Sequence, residues 1–554
     1  MEAKRSQFVL KLLPSFADFA FLMPIAYLFG SLGGSRSLLN DCDTGWHIRT
    51  GEWILAHGRI PFQDIFSFSK PGQPWFAWEW LSDVLLAWLN GIDGLRAVLL
   101  FSIAIICATF TLLYLLTRRK SNVLIAISVT MVAAAASSIH WLARPHLFTF
   151  LFLVLFYGGL ERVREGKDKI AGIPILWLFP IVTVLWTNLH GGFFVGILLI
   201  AAYGAGELLQ FFFQAAGAER QAAGRKARAY LASAGFCALA SLVNPYTYHL
   251  HVHMAQYLRD PWNSEHIIEF LSPNFHQPRA LFFEAYLVAA IAAAFWCVSR
   301  RRFVEPIVIA LWAHGGLLAA RNIAIFVIVA APIVAEALQY GLEHAAEWNL
   351  PERLRSLAAR FNSVAAQTAE MEAVPRWRLA SIAGFAMVAA LMFAPHPPEK
   401  FRAEFDPSRY PQKALASIRP DGATRIFTHD EWGDYLIWTG NRSFVDGRSD
   451  FYGDDFEQKY MDVLHMKLGW EKTLSEFGVD TILMPLDAPL TGALKESSHW
   501  HVVYDDGMAL VFRPSGRNGG EVSAALTSGG TGRDREVTKT EASDRAITLT
   551  KSKT

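Results

Sequence analysis

Apolar runs constrain this chain more than any other feature. About eleven of them lie near residues 14–34, 94–117, 121–142, 147–161, 170–187, 193–213, 229–243, 280–299, 304–320, 322–340 and 377–395. Runs of roughly 18 to 24 apolar residues match the hydrocarbon core of a bilayer. In lipid the backbone must pair its own N–H and C=O groups, so each run reads as a helix. Only 18 % of the residues are charged, against about a quarter in soluble chains. The expectation is a polytopic α-helical membrane protein with about 11 transmembrane helices.

The connectors set an orientation. Arg118, Arg119 and Lys120, then Arg162, Arg164 and Lys167, then Arg220, Arg225, Lys226 and Arg228, then Arg300, Arg301 and Arg302 make short basic connectors. They alternate with connectors that are not basic, and Lys4, Arg5 and Lys11 give the N-terminus the same sign. The positive-inside rule places all of these in the cytoplasm. The other side then holds 35–93, Arg144-Pro145-His146, Asn188 to Gly192, the 244–279 loop and Arg321-Asn322. The span interiors are nearly free of ionisable groups, which argues against a coupled transporter. A net charge of +1 and the lack of basic–aromatic interleaving give no sign of nucleic acid. No Walker loop, dinucleotide fingerprint or HExxH appears, and four scattered cysteines imply no disulfide or zinc framework.

The outer stretch Asp41–Asp83 concentrates polar chemistry among five tryptophans. Asp41 and Asp43, at i and i+2, can share a divalent cation or leave one carboxylate as a base. Asp43 equally reads as the N-cap of a helix from about Thr44 to Gly58, and Asp41 as a solvated loop acid. His47, one turn on, can complete a metal site with Asp43 or orient a carboxylate. Asp64 reads as a turn acid or a substrate contact. Glu79 and Asp83 share a face of a second helix near 78–89, where acids also favour the helix dipole.

Further candidates sit at outward span ends. Arg144 and Arg321 can grip a phosphate with a planar guanidinium, or Arg144 can snorkel to the interface. His146 accompanies Arg144, while Asn188 and His190 beside Gly191-Gly192 suggest a cavity rim. His249, His251 and His253 alternate: on a strand all three share one face, where a transition metal is conceivable, on a helix only His249 and His253 do, and in a solvated loop the spacing means nothing. Residues 341–375 read as a charged helical connector. Residues 400–514 read as a small α/β domain outside the cytoplasm, and 515–554 as a disordered tail poor in apolar residues. That divides the chain into a transmembrane domain, 1–399, with its acidic outer loop 35–93, then the outer domain and the tail.

The many spans, the Asp41-Cys42-Asp43 pair after the first span, the interfacial helices behind it and the C-terminal outer unit resemble the GT-C superfamily of integral-membrane glycosyltransferases. The protein mannosyltransferase and aminoarabinose transferase branches look nearest, although their paired acids are usually adjacent and here Cys42 separates them. The resemblance implies a polyprenyl-phosphate sugar donor and an acceptor glycan, lipid or protein outside the cytoplasm. It implies Asp41 or Asp43 as catalytic base or metal ligand, with Mg or Mn as the divalent cation. Arg321 and Arg144 would meet the donor phosphate. His47, Asp64, Glu79, His146, Asn188 and His190 are the remaining candidates for substrate contact. The expected home is a bacterial inner membrane, with the N-terminus cytoplasmic and the C-terminal domain periplasmic. The alternative is a non-enzymatic scaffold or lipid-glycan carrier whose outer domain binds a partner.

Overall fold

Each expected apolar run falls in a helix of the computed structural model, which describes residues 11–418, 421 and 423–515. Lys4, Arg5 and the tail expected beyond Ser515 lie outside the described residues. The described chain opens with α1 (Phe16–Ser31), α2 (Asp43–His57) and α3 (Trp80–Asp93). Next come α4 (Leu95–Thr117), α5 (Val123–Ser137) and α6 (His146–Arg164), then a small hairpin of β1 (Lys169–Ile170) and β2 (Ile173–Pro174). α7 (Ile175–Leu189), α8 (Phe193–Phe213), α9 (Ala218–Ala240), α10 (Tyr248–Arg259) and the short α11 (Pro261–His266) follow. The membrane part ends with α12 (Ala280–Ser299), α13 (Val304–Leu318), α14 (Ile323–Glu343), the connector helix α15 (Glu352–Glu372) and α16 (Leu379–Met392).

Six of these are long and apolar enough to cross a membrane: α4, α6, α8 and α12, with α5 and α14 each extended by a 3₁₀ turn. Helices α1, α7, α13 and α16 are apolar but shorter, and α9 carries its expected run only in its second half, after Arg220, Arg225, Lys226 and Arg228. This is an integral membrane protein, mostly helical. Prolines inside α1, α7 and α14 (Pro24, Pro180, Pro332) are tolerated, because neighbouring helices can support the freed backbone groups.

The C-terminal segment holds α17 (Gln412–Ile418), β3 (Ile426–Phe427), α18 (Asp430–Trp438), α19 (Ser449–Tyr452), α20 (Asp454–Leu464), α21 (Trp470–Glu476), β4 (Thr481–Pro485), α22 (Pro489–Glu496), β5 (Trp500–Asp505) and β6 (Ala509–Pro514). Its sheet runs β3-β4-β6-β5, parallel between β3 and β4 and antiparallel elsewhere. The buried pattern of β4 and β6 against the mostly exposed β5 identifies the covered part of the sheet.

Two packing features carry this segment to the membrane helices. One apolar core is continuous from Val98, Phe156 and Phe326 in the helices to Tyr410, Leu436 and Leu483. A second joins Trp46 and Trp75 of the first outer stretch to Phe427, Phe444 and Tyr460. Between them the loop after α2 is stitched to the C-terminal segment: the Phe68 amide donates to the Ser443 carbonyl at 3.0 Å, and Lys70 Nζ to the Tyr452 carbonyl at 2.7 Å.

Helix α2 is clasped from two sides. A Cβ on Gly51 would stand 1.9 Å from the Asp83 carbonyl, so only glycine lets α3 approach this closely. On the other side Arg49 donates to the Trp438 carbonyl at 2.9 and 2.6 Å, holding the last turn of α18. Gly58 ends α2 in the left-handed region, as expected. Asp43 is not the N-cap: it is the first helical residue, Cys42 precedes it, and no side chain caps this end. The Asp43 carboxylate is drawn to Arg144 instead. The three alternating histidines are likewise neither on a strand nor in a plain loop but in α10, where His251 meets Ser241 Oγ at 2.8 Å and His253 meets Asp450 at 2.9 Å.

Candidate functional site

A cavity of about 880 Å³ opens where the outer stretch, the helix ends and the C-terminal segment converge. Of the residues expected to form a site, Asp43, His47, Glu79, Arg144, His146, His190 and Arg321 line it. They come from the start of α2, the turn before α3, the α5–α6 and α7–α8 connections, and the 3₁₀ turn before α14. Phe150, Phe194, Val195, Trp312, Leu318 and Ile325 give the same cavity an apolar wall built by α6, α8, α13 and α14. A charged lining beside an apolar wall suits a ligand with a polar and an apolar part.

The charged part is an arginine–carboxylate cluster. Arg144 reaches Asp41 at 2.8 Å, Asp43 at 2.5 Å and Glu269 at 3.7 Å. Glu269 also reaches Arg321 at 3.1 Å, so it links the two guanidiniums. The Arg321 guanidinium lies 4.6 Å from the centre of the Phe270 ring, a cation–π contact. Burial opposes ionisation of Glu269, but Arg321 and Arg144 overcome it and hold its carboxyl down at about 2. Burial wins at Asp41, pushed up to about 7 against the pull of Arg144. The two acids differ because Glu269 is shared by two cations, whereas Asp41 shares one cation with Asp43.

Beside that cluster lies a row of imidazoles and carboxyls. His47 Nδ1 is 2.6 Å from Asp83 Oδ1, and its Nε2 is 3.5 Å from Glu79 Oε2. Glu79 Oε1 is 3.3 Å from His190 Nε2. The Gly192 amide donates to His190 Nδ1 at 2.9 Å, and Thr149 Oγ1 lies 2.7 Å from the same nitrogen. Burial drives Glu79 up to about 8 in spite of Arg144 and Arg321, raises Asp83 well above the usual carboxylate range, and lowers His47. Trp46 stacks on His47 at 3.7 Å between ring centres, which fixes the imidazole plane.

Three expected residues do not belong to the cavity lining. Asp64 is buried behind it, accepting from the Ser67 amide at 2.9 Å and pairing with Arg448 at 2.9 Å. Asn188 is consumed by structure: its amide oxygen accepts from Trp80 Nε1 at 2.8 Å, and its nitrogen donates to the Val184 and Val243 carbonyls. Asp41 stands behind Arg144 and does not line the cavity itself.

The expected divalent cation finds no fitting donor set. Among the described residues no three His, Cys, Asp or Glu side chains gather as a metal-ligand group. His47 has both ring nitrogens beside carboxyls, and Asp43 is paired with a guanidinium.

Several cavity residues escape a reading of the sequence. Glu269 lies in the long 244–279 loop among unremarkable polar residues. Gly447, Arg448 and Asp450 also line the cavity; the stretch Phe444–Asp450 stands out in the sequence, but its Asp446-Gly447 favours a reading as a structural turn. A Cβ on Gly447 would stand 2.6 Å from Asp43 Oδ1 and 2.7 Å from Asp434 Oδ2. The one available signal was the density of acids in 429–450, which is weak without the fold.

No protein-family model matches the chain, and no curated protein matches it by sequence. In fold it is similar to crystal structures of the Archaeoglobus fulgidus oligosaccharyltransferase. The apo form matches over 91 % of this chain and 74 % of that one, with 13 % identity and a TM-score of 0.52. The same enzyme tethered by a disulfide to an acceptor peptide containing the NVT sequon matches over 90 % and 74 %, with 13 % identity and a TM-score of 0.51. At this identity the likeness is one of fold.

Proposed function

We propose that this protein is a glycosyltransferase that moves a sugar from a polyprenyl-phosphate-linked donor to an acceptor at the outer face of the membrane. The observation that carries this reading is the cavity itself, where Arg144 and Arg321 meet a set of carboxyls beside an apolar wall. A lipid-linked sugar phosphate presents the complementary parts: a hydrocarbon chain, an anionic leaving group and a polar sugar. The guanidiniums stabilise charge developing on the departing phosphate. A carboxyl of the lining takes the acceptor's proton.

Activated nucleotide sugars are cytoplasmic, so an outward site requires a donor that crosses with the membrane. The alternation of basic connectors supports an N-terminus in the cytoplasm and a C-terminal unit, 400–514, on the far side, the periplasm of a bacterial inner membrane. That unit contributes Gly447, Arg448 and Asp450 to the cavity wall. Acceptors open to this reading are a glycan, a lipid or a protein; the related fold of the Archaeoglobus fulgidus enzyme accommodates a peptide.

The test is transfer from a panel of radiolabelled polyprenyl-phosphate sugars by purified protein in lipid, with and without EDTA, beside Asp43→Asn and Arg321→Ala. Transfer by the wild type that falls in both variants supports the reading. Saturable donor binding with no transfer, unchanged in either variant, refutes it in favour of a lipid-glycan carrier.

A further inference from the structure

The cavity contains several acids, and they are not equivalent as proton acceptors. Asp41 and Asp43 are within 2.8 and 2.5 Å of the Arg144 guanidinium, and Glu269 joins Arg144 to Arg321. Asp41 does not line the cavity, and for Asp43 and Glu269 taking a proton would break a close guanidinium pair. Glu79 lines the same cavity and, among the described residues, has only His47 and His190 at ion-pair distance.

The hydrogen bonds around Glu79 fix what each neighbour can do. A backbone N–H can only donate, so the Gly192 amide at 2.9 Å makes His190 Nδ1 an acceptor. The Thr149 hydroxyl accepts the Trp186 indole N–H at 3.0 Å, leaving its own hydrogen for the same Nδ1. Neutral His190 therefore carries its hydrogen on Nε2, facing Glu79 Oε1 at 3.3 Å. That donor stabilises the carboxylate form of Glu79, the form that can accept a proton; because burial raises this carboxyl to about 8, transfer should speed up as pH rises through that value. On the other side His47 bridges two carboxyls, Asp83 at Nδ1 and Glu79 at Nε2. Before transfer both carboxyls are ionised and the His47 hydrogen sits on Nδ1 facing Asp83. Once Glu79 has taken a proton and holds it toward Nε2, the same hydrogens have a second arrangement, with one on Nε2 and one on Asp83 toward Nδ1. Asp83 Oδ2 is buried without a hydrogen-bond partner, so nothing else competes for this carboxyl.

We propose that Glu79 is the group that removes the acceptor's proton, and that His47 and Asp83 are positioning residues that pass the proton inward along the row Glu79–His47–Asp83. The inference rests on the sugar-transfer reading and names the base within it. The acceptor's O–H or N–H bond breaks and its hydrogen goes to Glu79. The acceptor atom forms its bond to the sugar's anomeric carbon as the carbon–oxygen bond to phosphate breaks. The phosphate leaves with that electron pair toward Arg321 and Arg144. Nothing is oxidised or reduced. Arg144 and Arg321 act on Glu79 from beyond ion-pair distance, and the two acids that act on it, Asp450 and Asp43, are themselves paired with His253 and Arg144.

The experiment measures kcat and KM for donor and acceptor in Glu79→Gln and Asp83→Asn, with proton inventories in mixed H2O and D2O. Both substitutions keep side-chain shape. Glu79→Gln lowers kcat by about 10²- to 10⁴-fold, the usual range for a lost acid–base group, and leaves the donor KM unchanged. Asp83→Asn lowers kcat less and turns a bowed inventory, with two hydrogens in flight, into a linear one. A purely structural Asp83 would change the amount of folded enzyme and leave the inventory bowed. Wild-type transfer with full kcat in Glu79→Gln overturns the assignment of the base. A bowed inventory in Asp83→Asn overturns the row. No transfer by the wild type from any donor overturns the transfer reading and this inference with it.

Discussion

Gly51→Ala tests how far the fold governs the chemistry. Gly51 lies in α2, one turn past His47, where α2 and α3 touch. An added Cβ would stand 1.9 Å from the Asp83 carbonyl oxygen and 2.7 Å from Ala87 Cβ. Neither partner is a flexible side-chain end, so relief has to come from the helices moving apart. Bringing the carbonyl contact to 3.0 Å requires a shift of about 1 Å. Asp83 is the residue whose carboxyl holds His47 at 2.6 Å, and a shift of this size takes that bond beyond hydrogen-bond length. Overpacking costs about 1–3 kcal/mol, and the lost hydrogen bond to a charged or buried partner adds about 1.5–3 kcal/mol. Misplacement by about 1 Å at a catalytic group costs up to 10²-fold in rate. The assay is thermal unfolding in detergent alongside sugar transfer. Gly492→Ala is the control, since nothing lies within 4 Å of a Cβ there. The expected result is a lower melting temperature and a fall in kcat for Gly51→Ala, with no loss for Gly492→Ala. Wild-type stability and rate in Gly51→Ala would refute the claim that this crossing sets the His47–Asp83 distance.

The spanning helices were legible because run length and apolarity are local properties, and lipid leaves few alternatives to a helix. The first outer stretch was legible for a related reason: acids among indoles have no use in a plain connector. Legibility ends where a residue's role depends on a partner far along the chain. Asp64 and Glu79 look alike in sequence, each an acid near a turn. One is satisfied by Arg448 and the other faces the cavity between two histidines. Asn188 beside Gly191-Gly192 has the composition of a cavity rim, yet Trp80 and two carbonyls use up its amide. The same dependence hid Glu269, which matters only because folding brings Arg144 and Arg321 to either side of it. The pairing of Asp41 and Asp43 with Arg144 was hidden for the same reason, because Arg144 lies about a hundred residues further along the chain.

Three further predictions follow from specific contacts. Arg321→Ala removes one of the two guanidiniums and lowers kcat/KM for the donor by about 10²- to 10³-fold, the usual cost of one charge-stabilising donor; steady-state transfer kinetics check it. Asp64→Ala leaves buried Arg448 with Asp446 alone and strips the turn at Ser67 of its acceptor. It should destabilise the fold by about 3 kcal/mol, read as a lower melting temperature in detergent, even though Asp64 does not line the cavity. The pH dependence of stability follows from carboxyls displaced in opposite directions. Glu79, raised by burial from 4.5 to about 8, keeps a proton in the folded chain that the unfolded chain has released. Its contribution is therefore fully present below about pH 4.5 and is lost as pH rises through about 8, with a slope of at most about 1.4 kcal/mol per pH unit. Glu269, held at about 2 by Arg321 and Arg144 against the opposing effect of burial, contributes stability above about pH 4.5 that disappears as pH falls toward 2. The melting temperature should thus decline on both sides of a maximum near pH 5. Glu79→Gln should make the alkaline side less steep, since Asp41 and Asp83 are raised as well, and leave the acid side intact; Glu269→Gln should make the acid side less steep. An alkaline slope as steep in Glu79→Gln as in the wild type would mean that Glu79 is already ionised in the folded chain, and that the apolar enclosure around it is more open to water than its geometry implies.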